Sequence, residues 1–176
     1  MISFEPGIIE QCKQGSHMAQ MQLYTTFSKR VYNACYRILY NSFEAESAMQ
    51  EGFLKAFSSL GSYESSVPFE AWLVRIAVNT SIDKLRKKTL DITNLNENLY
   101  YDIADDNDND EWEQILSKVE KVKTAIEKLP EAGRLVINLY LMEGYDHEEI
   151  AEILNIAPGT VRIQYMRAKN KLKELI

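Results

Sequence analysis

This 176-residue chain is poor in the residues that build metal clusters or disulfide frameworks: it has 2 cysteines and 2 histidines. Cys12, Cys35, His17 and His147 are scattered and show no ligand spacing. Reduced thiols of the cytosolic kind are the expectation for both cysteines. No apolar run approaches the roughly 20 residues that cross a bilayer. Met1-Ile2-Ser3-Phe4-Glu5-Pro6 has no basic region leading into an apolar core, so no signal peptide is read there and a cytoplasmic location is expected. A Gly-rich phosphate loop, a nucleophile elbow and an HExxH helix are all missing. Nothing pairs the carboxylates across a pocket. No enzymatic activity, metal, cofactor or small-molecule substrate is therefore expected.

An excess of positive charge is missing as well, since the net charge is −6. Its distribution matters more than its sum. Residues 1–88 carry +2, residues 89–113 carry −9 with no Lys or Arg at all, and residues 114–176 carry +1. The negative excess sits in one short middle segment, so any nucleic-acid footprint has to be sought locally. With 45% hydrophobic and 26% charged residues, the remainder is ordinary globular sequence.

Taken in order, residues 7–15 read as a short helix ended near Gly15. Gly15-Ser16-His17-Met18 has the look of an expression-tag scar, but plausible native sequence precedes it and it is read as native. A longer helix from His17 to about Tyr40 turns Leu23, Phe27, Val31 and Ile38 inward, and Asn41-Ser42 breaks it. Residues 44–60 form the next helix, with Ala45, Met49, Phe53, Ala56 and Leu60 on one stripe. Glu44, Glu46, Gln50, Glu51 and Lys55 lie on the other face. Gly61 to Pro68 is a loop by composition. Phe69 opens a fourth helix with Phe69, Trp72, Leu73 and Ile76 inward, ending in Lys84, Arg86, Lys87 and Lys88. Those cations match the helix dipole and equally suit phosphate contact.

Residues 89–113 form an acidic flexible linker with little to bury. Its D-x-D-x-D-like spacing lacks the glycine and glutamate of an EF-hand loop, so no calcium site is expected there. Helices resume at Trp112, with Ile115, Val119, Val122, Ile126 and Leu129 on one stripe. Ala132 to Met142 is apolar nearly all round, the pattern of a buried helix. Gly144 suits a left-handed C-cap.

The stretch from Asp146 to Ile176 carries the clearest motif. Asp146 with Glu149 has capping-box spacing, and Ile150, Ile153 and Leu154 share a face. Asn155-Ile156-Ala157 turns the chain, and Pro158 suits the first position of a second helix. There Val161, Tyr165, Ala168, Leu172 and Leu175 make one apolar stripe. Ile163, Met166, Arg167 and Asn170 lie opposite, with Arg162 on the flank. A short helix, a tight turn and a basic second helix form the shape of a helix-turn-helix that enters a major groove. A surface hairpin with a solvated basic face has the same pattern. The fold expectation is all-α: two small helical domains, 1–88 and 114–176, joined by the linker.

Three stretches together resemble bacterial RNA polymerase sigma factors of the extracytoplasmic-function (ECF) type. Ala45 to Phe57 resembles the helix by which sigma docks on a coiled coil of the polymerase clamp. Phe69 to Arg86 resembles the promoter-melting helix. Leu129-Pro130 through Tyr145, then Glu149 to Leu154 and Gly159 to Arg162, resembles the −35-reading domain. The resemblance spans residues 8–88 and 114–175 in the family's order. It implies an alternative sigma factor that binds core polymerase, recognises −10 and −35 elements and opens the promoter on binding energy alone. Glu46, Gln50, Glu51 and Leu54 would meet core. Without the resemblance, Glu46 and Glu51 read as a solvated face. Tyr63, in the loop where the family captures a flipped base, would stack on it. Arg75, Asn79, Lys84, Arg86, Lys87 and Lys88 would hold phosphates and the opened strand, and Trp72 is either a core anchor or a DNA contact. Arg162 and Arg167 would read the −35 element, supported by Thr160, Gln164 and Lys169. Ala157 departs from the family's frequent capping serine, and Ile163 and Met166 stand where polar residues are common. The acidic linker would run toward the active-site cleft and RNA path. An anti-sigma partner, often membrane-tethered, is also implied. A stand-alone helix-turn-helix regulator is the alternative.

Overall fold

The computed structural model describes the backbone of residues 7–91 and 111–176, and side chains of residues 7–88 and 117–176. Among the described residues there are helices and no strand, so the all-α expectation holds. The chain divides into two compact units, residues 1–93 and 94–176.

In the first unit a short helix α1 (Ile8–Lys13) leads into α2 (His17–Leu39), whose N-cap Ser16 accepts a hydrogen bond from the Ala19 amide. Leu23, Phe27, Val31, Ala34 and Ile38 recur at spacings of three and four and are all buried. Tyr40 stops the helix in the left-handed region, φ 48°. Asn41 immediately caps α3 (Ser42–Ser58), its side chain accepting from the Glu44 amide at 2.9 Å. The two helices thus turn back on one another with almost no loop. α4 (Phe69–Asp91) packs on both.

The expected stripe Ala45, Met49, Phe53, Ala56 and Leu60 is buried throughout. Leu60 itself lies beyond α3, in a 3-10 turn Leu60–Ser62 that tightens the entry to the loop. Small residues let α3 and α4 approach closely. A β-carbon added at Gly52 would sit 3.1 Å from Ala77 Cβ and 3.2 Å from its Cα. On α4 the inward face differs from the expectation. Phe69 and Leu73 are buried, but Trp72 and Ile76 are only half-buried. Val74, Ala77, Val78, Ser81 and Ile82 fill the interface. A helix wedged between two others buries a wide arc, so small residues count as core.

The second unit begins with α5 (Glu111–Glu127), followed by α6 (Glu131–Ile137), α7 (His147–Leu154) and α8 (Pro158–Leu175). Ile126, Leu129, Ile137 and Ala168 form its core, with Val122, Tyr165 and Leu172 packed against them. Ile115 lies outside the described side chains, and Val119 is exposed. The buried-helix expectation for Ala132 to Met142 fails at its end. The last turn, Asn138–Met142, opens into a π-helix, and Leu141 and Met142 are exposed. Gly144 takes the expected left-handed conformation, φ 79°. Leu175, the last residue of the expected α8 stripe, is exposed. Helical backbone extends into the expected linker at both ends, to Asp91 and from Glu111, while residues 92–110 lie outside the described residues.

Candidate nucleic-acid and polymerase interfaces

α7 and α8 are each set by local chemistry. The Asp146 carboxylate accepts from the Glu149 amide at 2.8 Å, and the Glu149 carboxylate accepts from the Asp146 amide at 2.9 Å. Asn155 takes the left-handed conformation, φ 54°, and turns the chain within three residues. Pro158 opens α8 behind Ala157, which has cap-like backbone angles but no side-chain cap. Tyr140, His147 and Tyr165 stack edge and face within 4.7–5.2 Å and brace the start of α7 and the middle of α8 against the end of the preceding helix.

That bracing leaves one face of α8 fully outward. Arg162 and Arg167 are exposed, as are Thr160 and Lys169, while Gln164 is half-buried on the core side. Lys169 Nζ sits 5.9 Å from the Tyr165 ring centre. Arg162 is paired with Glu148 of α7 across the turn. The centre of the outward face is held by Ile163, Met166 and Asn170. These three had a visible signal, the helical period opposite the apolar stripe.

On the first unit the expected DNA residues fall into two groups. Trp72, Arg75, Asn79 and Arg86 recur at helical spacing along one side of α4, with Arg75, Asn79 and Arg86 exposed. Lys84 and Lys88 turn instead toward α3. Lys84 Nζ lies 3.0 Å from a Glu51 carboxylate oxygen and donates to Ser47 Oγ at 3.3 Å. Lys88 Nζ lies 3.0 Å from Glu44. Lys87 is exposed. Tyr63 is not a free platform. Its hydroxyl donates to the Val67 carbonyl at 2.7 Å, and its ring lies 5.4 Å from Phe69 and 5.2 Å from Trp72. This trio shapes the loop and leaves Glu64, Ser65, Ser66 and Val67 exposed at its tip.

On α3, Glu46 and Gln50 are exposed and Leu54 is 71% exposed. Glu51 faces α4, where Lys55 and Lys84 hold its carboxyl below the usual range by hydrogen bonding, against a smaller opposing effect of burial. The sequence reading missed Phe43. At 80% exposure it shares the outward face with Glu46, Gln50 and Leu54, at intervals a helix superimposes. A shallow groove of about 340 Å³ lined by Tyr24, Ser28, Lys29, Tyr32, Glu46 and Met49 runs beside that face.

Among the described residues no cluster of His, Cys, Asp or Glu is arranged to hold a metal, and no helix is long and apolar enough to cross a membrane. The acidic stretch considered for calcium lies outside the described residues.

One unit is a helix-turn-helix with an outward basic helix and the other has its own exposed helix face, an arrangement that suits a protein with more than one macromolecular contact. The family model for Sigma-70 region 2 matches residues 23–90, and that for Sigma-70 region 4 matches residues 120–172. The chain belongs to the ECF sigma-factor family. It is 33% identical over 174 residues to the ECF RNA polymerase sigma factor SigW of Bacillus subtilis, covering 94% of this chain and 93% of that one. It is 31% identical to the ECF RNA polymerase sigma-E factor of Escherichia coli, covering 96% and 94%. Its fold is similar to that of the sigma factor RpoE of Bartonella quintana in its complex with the anti-sigma factor NepR. The TM-score there is 0.60 at 23% identity, covering 88% of this chain and 94% of that one. The chain is accordingly an alternative sigma factor, a DNA-binding subunit for transcription initiation.

Proposed function

We propose that the three exposed faces divide the work of initiation. Phe43, Glu46, Gln50 and Leu54 on α3 dock on the clamp coiled coil of RNA polymerase core, and Glu51 supports that face from its pair with Lys84. Trp72, Arg75, Asn79, Arg86 and Lys87 on α4, with the loop braced by Tyr63, engage the −10 element and the opened strand. Lys84 and Lys88 join them once their acids are drawn away. Thr160, Arg162, Arg167 and Lys169 on α8 read the −35 element, with Gln164 fixing the helix against its unit.

The observation that carries this reading is the exposed α3 face, because a regulator acting on duplex DNA alone has no use for it. Residues 1–88 and 114–176 act as the two binding domains, and 89–113 as the acidic linker between them. The protein works in the cytoplasm without enzymatic chemistry or a cofactor. An anti-sigma factor, possessed by the Bartonella relative in its solved complex, is the expected antagonist here, and it would cover the same faces. Membrane tethering of that partner is part of the same expectation.

The test is co-purification with core polymerase followed by runoff transcription. Stable core binding, weakened by the exposed-face changes Gln50→Ala and Leu54→Ala, together with new promoter-specific transcripts, is the expected result. Arg162→Glu with Arg167→Glu should abolish −35-dependent transcription while core binding persists. A folded chain that shifts duplex DNA yet never binds core would instead be a stand-alone regulator.

A further inference from the structure

The outward face of α8 is apolar at its centre and basic at its edges. Ile163 is 52% and Met166 63% exposed, and neither is in the hydrophobic core cluster of its unit. Arg162 and Arg167 flank them, Lys169 and Lys173 extend the positive rim, and Asn170 lies one turn on. Of the acids near this helix, Glu148 is paired with Arg162 and Glu174 with Lys171. Two adjacent exposed hydrophobic side chains in a cationic ring need a partner that is anionic at its edges and apolar at its centre.

Duplex DNA supplies that pattern in one form only. Its phosphates meet the cations, and the one apolar group on the floor of the major groove is the thymine methyl. Resting on the −35 reading above, we propose that Ile163 and Met166 read thymine methyls on neighbouring A·T pairs of the −35 element. Their spacing of three residues corresponds to about 4.5 Å along the helix axis. The step between base pairs is about 3.4 Å, so the two side chains reach neighbouring pairs. Asn170 continues the strip with the amide that suits adenine N6 and N7.

The experiment uses holoenzyme reconstituted from the full chain and core polymerase. A promoter library randomised across the −35 region is selected by runoff transcription. The winning promoter is then rebuilt with 2′-deoxyuridine at each −35 thymine in turn, which removes one methyl and nothing else. Neighbouring A·T pairs should be enriched. Replacing a contacted thymine should lower open-complex formation about fourfold, the worth of one buried methyl-sized group. Holoenzyme carrying Ile163→Ser and Met166→Ser, both surface changes, should transcribe thymine and deoxyuridine templates equally.

Transcription that depends on the −35 region but is indifferent to every deoxyuridine substitution would overturn the proposal and leave the sigma reading intact. So would a double-serine variant that keeps full −35 activity but loses binding to core or to a protein antagonist, since the strip would then be a protein-docking face. Holoenzyme with no dependence on the −35 region at all would sink both.

Discussion

Glu51 offers the sharpest test of how the first unit is held together. Its carboxylate lies 2.9 Å from Lys55 Nζ and 3.0 Å from Lys84 Nζ. Lys55 also donates to Thr80 Oγ1 at 3.2 Å. The glutamate therefore ties α3 to α4 beside the Gly52–Ala77 contact. Replacing it as Glu51→Gln keeps the shape and removes the charge. The side chain is 43% exposed, so solvent screens the pairs and the loss is about 0.5–1 kcal/mol in all. For a unit of this size that is a fall of roughly 2–8 °C in its calorimetric transition. The pH dependence has a definite sign. The folded pKa is depressed, so the contribution is fully present above the unfolded glutamate value near ~4.3 and disappears as pH falls through the folded value. Wild type and variant should differ at pH 7, converge as pH falls through the depressed folded value, and differ less in 1 M salt. A double-mutant cycle with Lys84→Met should show coupling. Equal transitions at pH 7, a gap that widens on acidification, or strict additivity would refute the argument.

Other expectations rest on single contacts. Gly52→Val forces a branched side chain against Ala77, where even one added carbon lies 3.1 Å from its neighbour. It should destabilise the first unit by at least about 1–3 kcal/mol, seen as an early calorimetric transition and weakened retention on core polymerase. Asp146→Ala removes the capping-box bond that its carboxylate accepts from the Glu149 amide and should cost the second unit about 1 kcal/mol, whereas Ala157→Ser supplies a missing cap and should add about 1 kcal/mol. Chemical denaturation reads both. Cys12 is buried and its thiol is pushed up by that burial, and Cys35 is buried too. At pH 7 both should resist a thiol-reactive dye until denaturant is added.

Much of this architecture was legible because it is local. The Asp146–Glu149 box, the Asn155 turn and the Asn41 break each depend on residues within a few positions, and each stands where the sequence placed it. Periodicity carried α2 and α3 for the same reason. It misled on α4, where weighting large residues put Trp72 and Ile76 inward and overlooked Ala77 and Ser81. Its outer-face counterpart went unused on α3, where Phe43 repeats the phase of Gln50 and Leu54. The rest was illegible because it is made across the chain. Glu51 meets Lys84 and Glu44 meets Lys88 only after α3 and α4 pack, and Arg162 meets Glu148 only across a formed turn. The Tyr63–Phe69–Trp72 cluster likewise needs the loop folded before its rings can touch.

Those cross-chain pairs bear on how a chain of net charge −6 selects promoters. Affinity for arbitrary DNA grows with the number of phosphates that free cations neutralise. Here Lys84, Lys88 and Arg162 are each opposed by an acid of the same unit, which lowers that background. Base identity must then come from groups that random sequence does not reward. Opening a base pair must be offset by contacts available only to the exposed base. Two weakly binding units on one chain suit this division. On the proposed docking through α3, core polymerase would raise the effective concentration of both units at one promoter. On this argument, relieving the acids should broaden promoter choice before it strengthens transcription. The Glu44→Gln, Glu51→Gln holoenzyme should therefore initiate at more sites in a genomic runoff assay, and a site profile unchanged from wild type would show that the pairs serve stability alone.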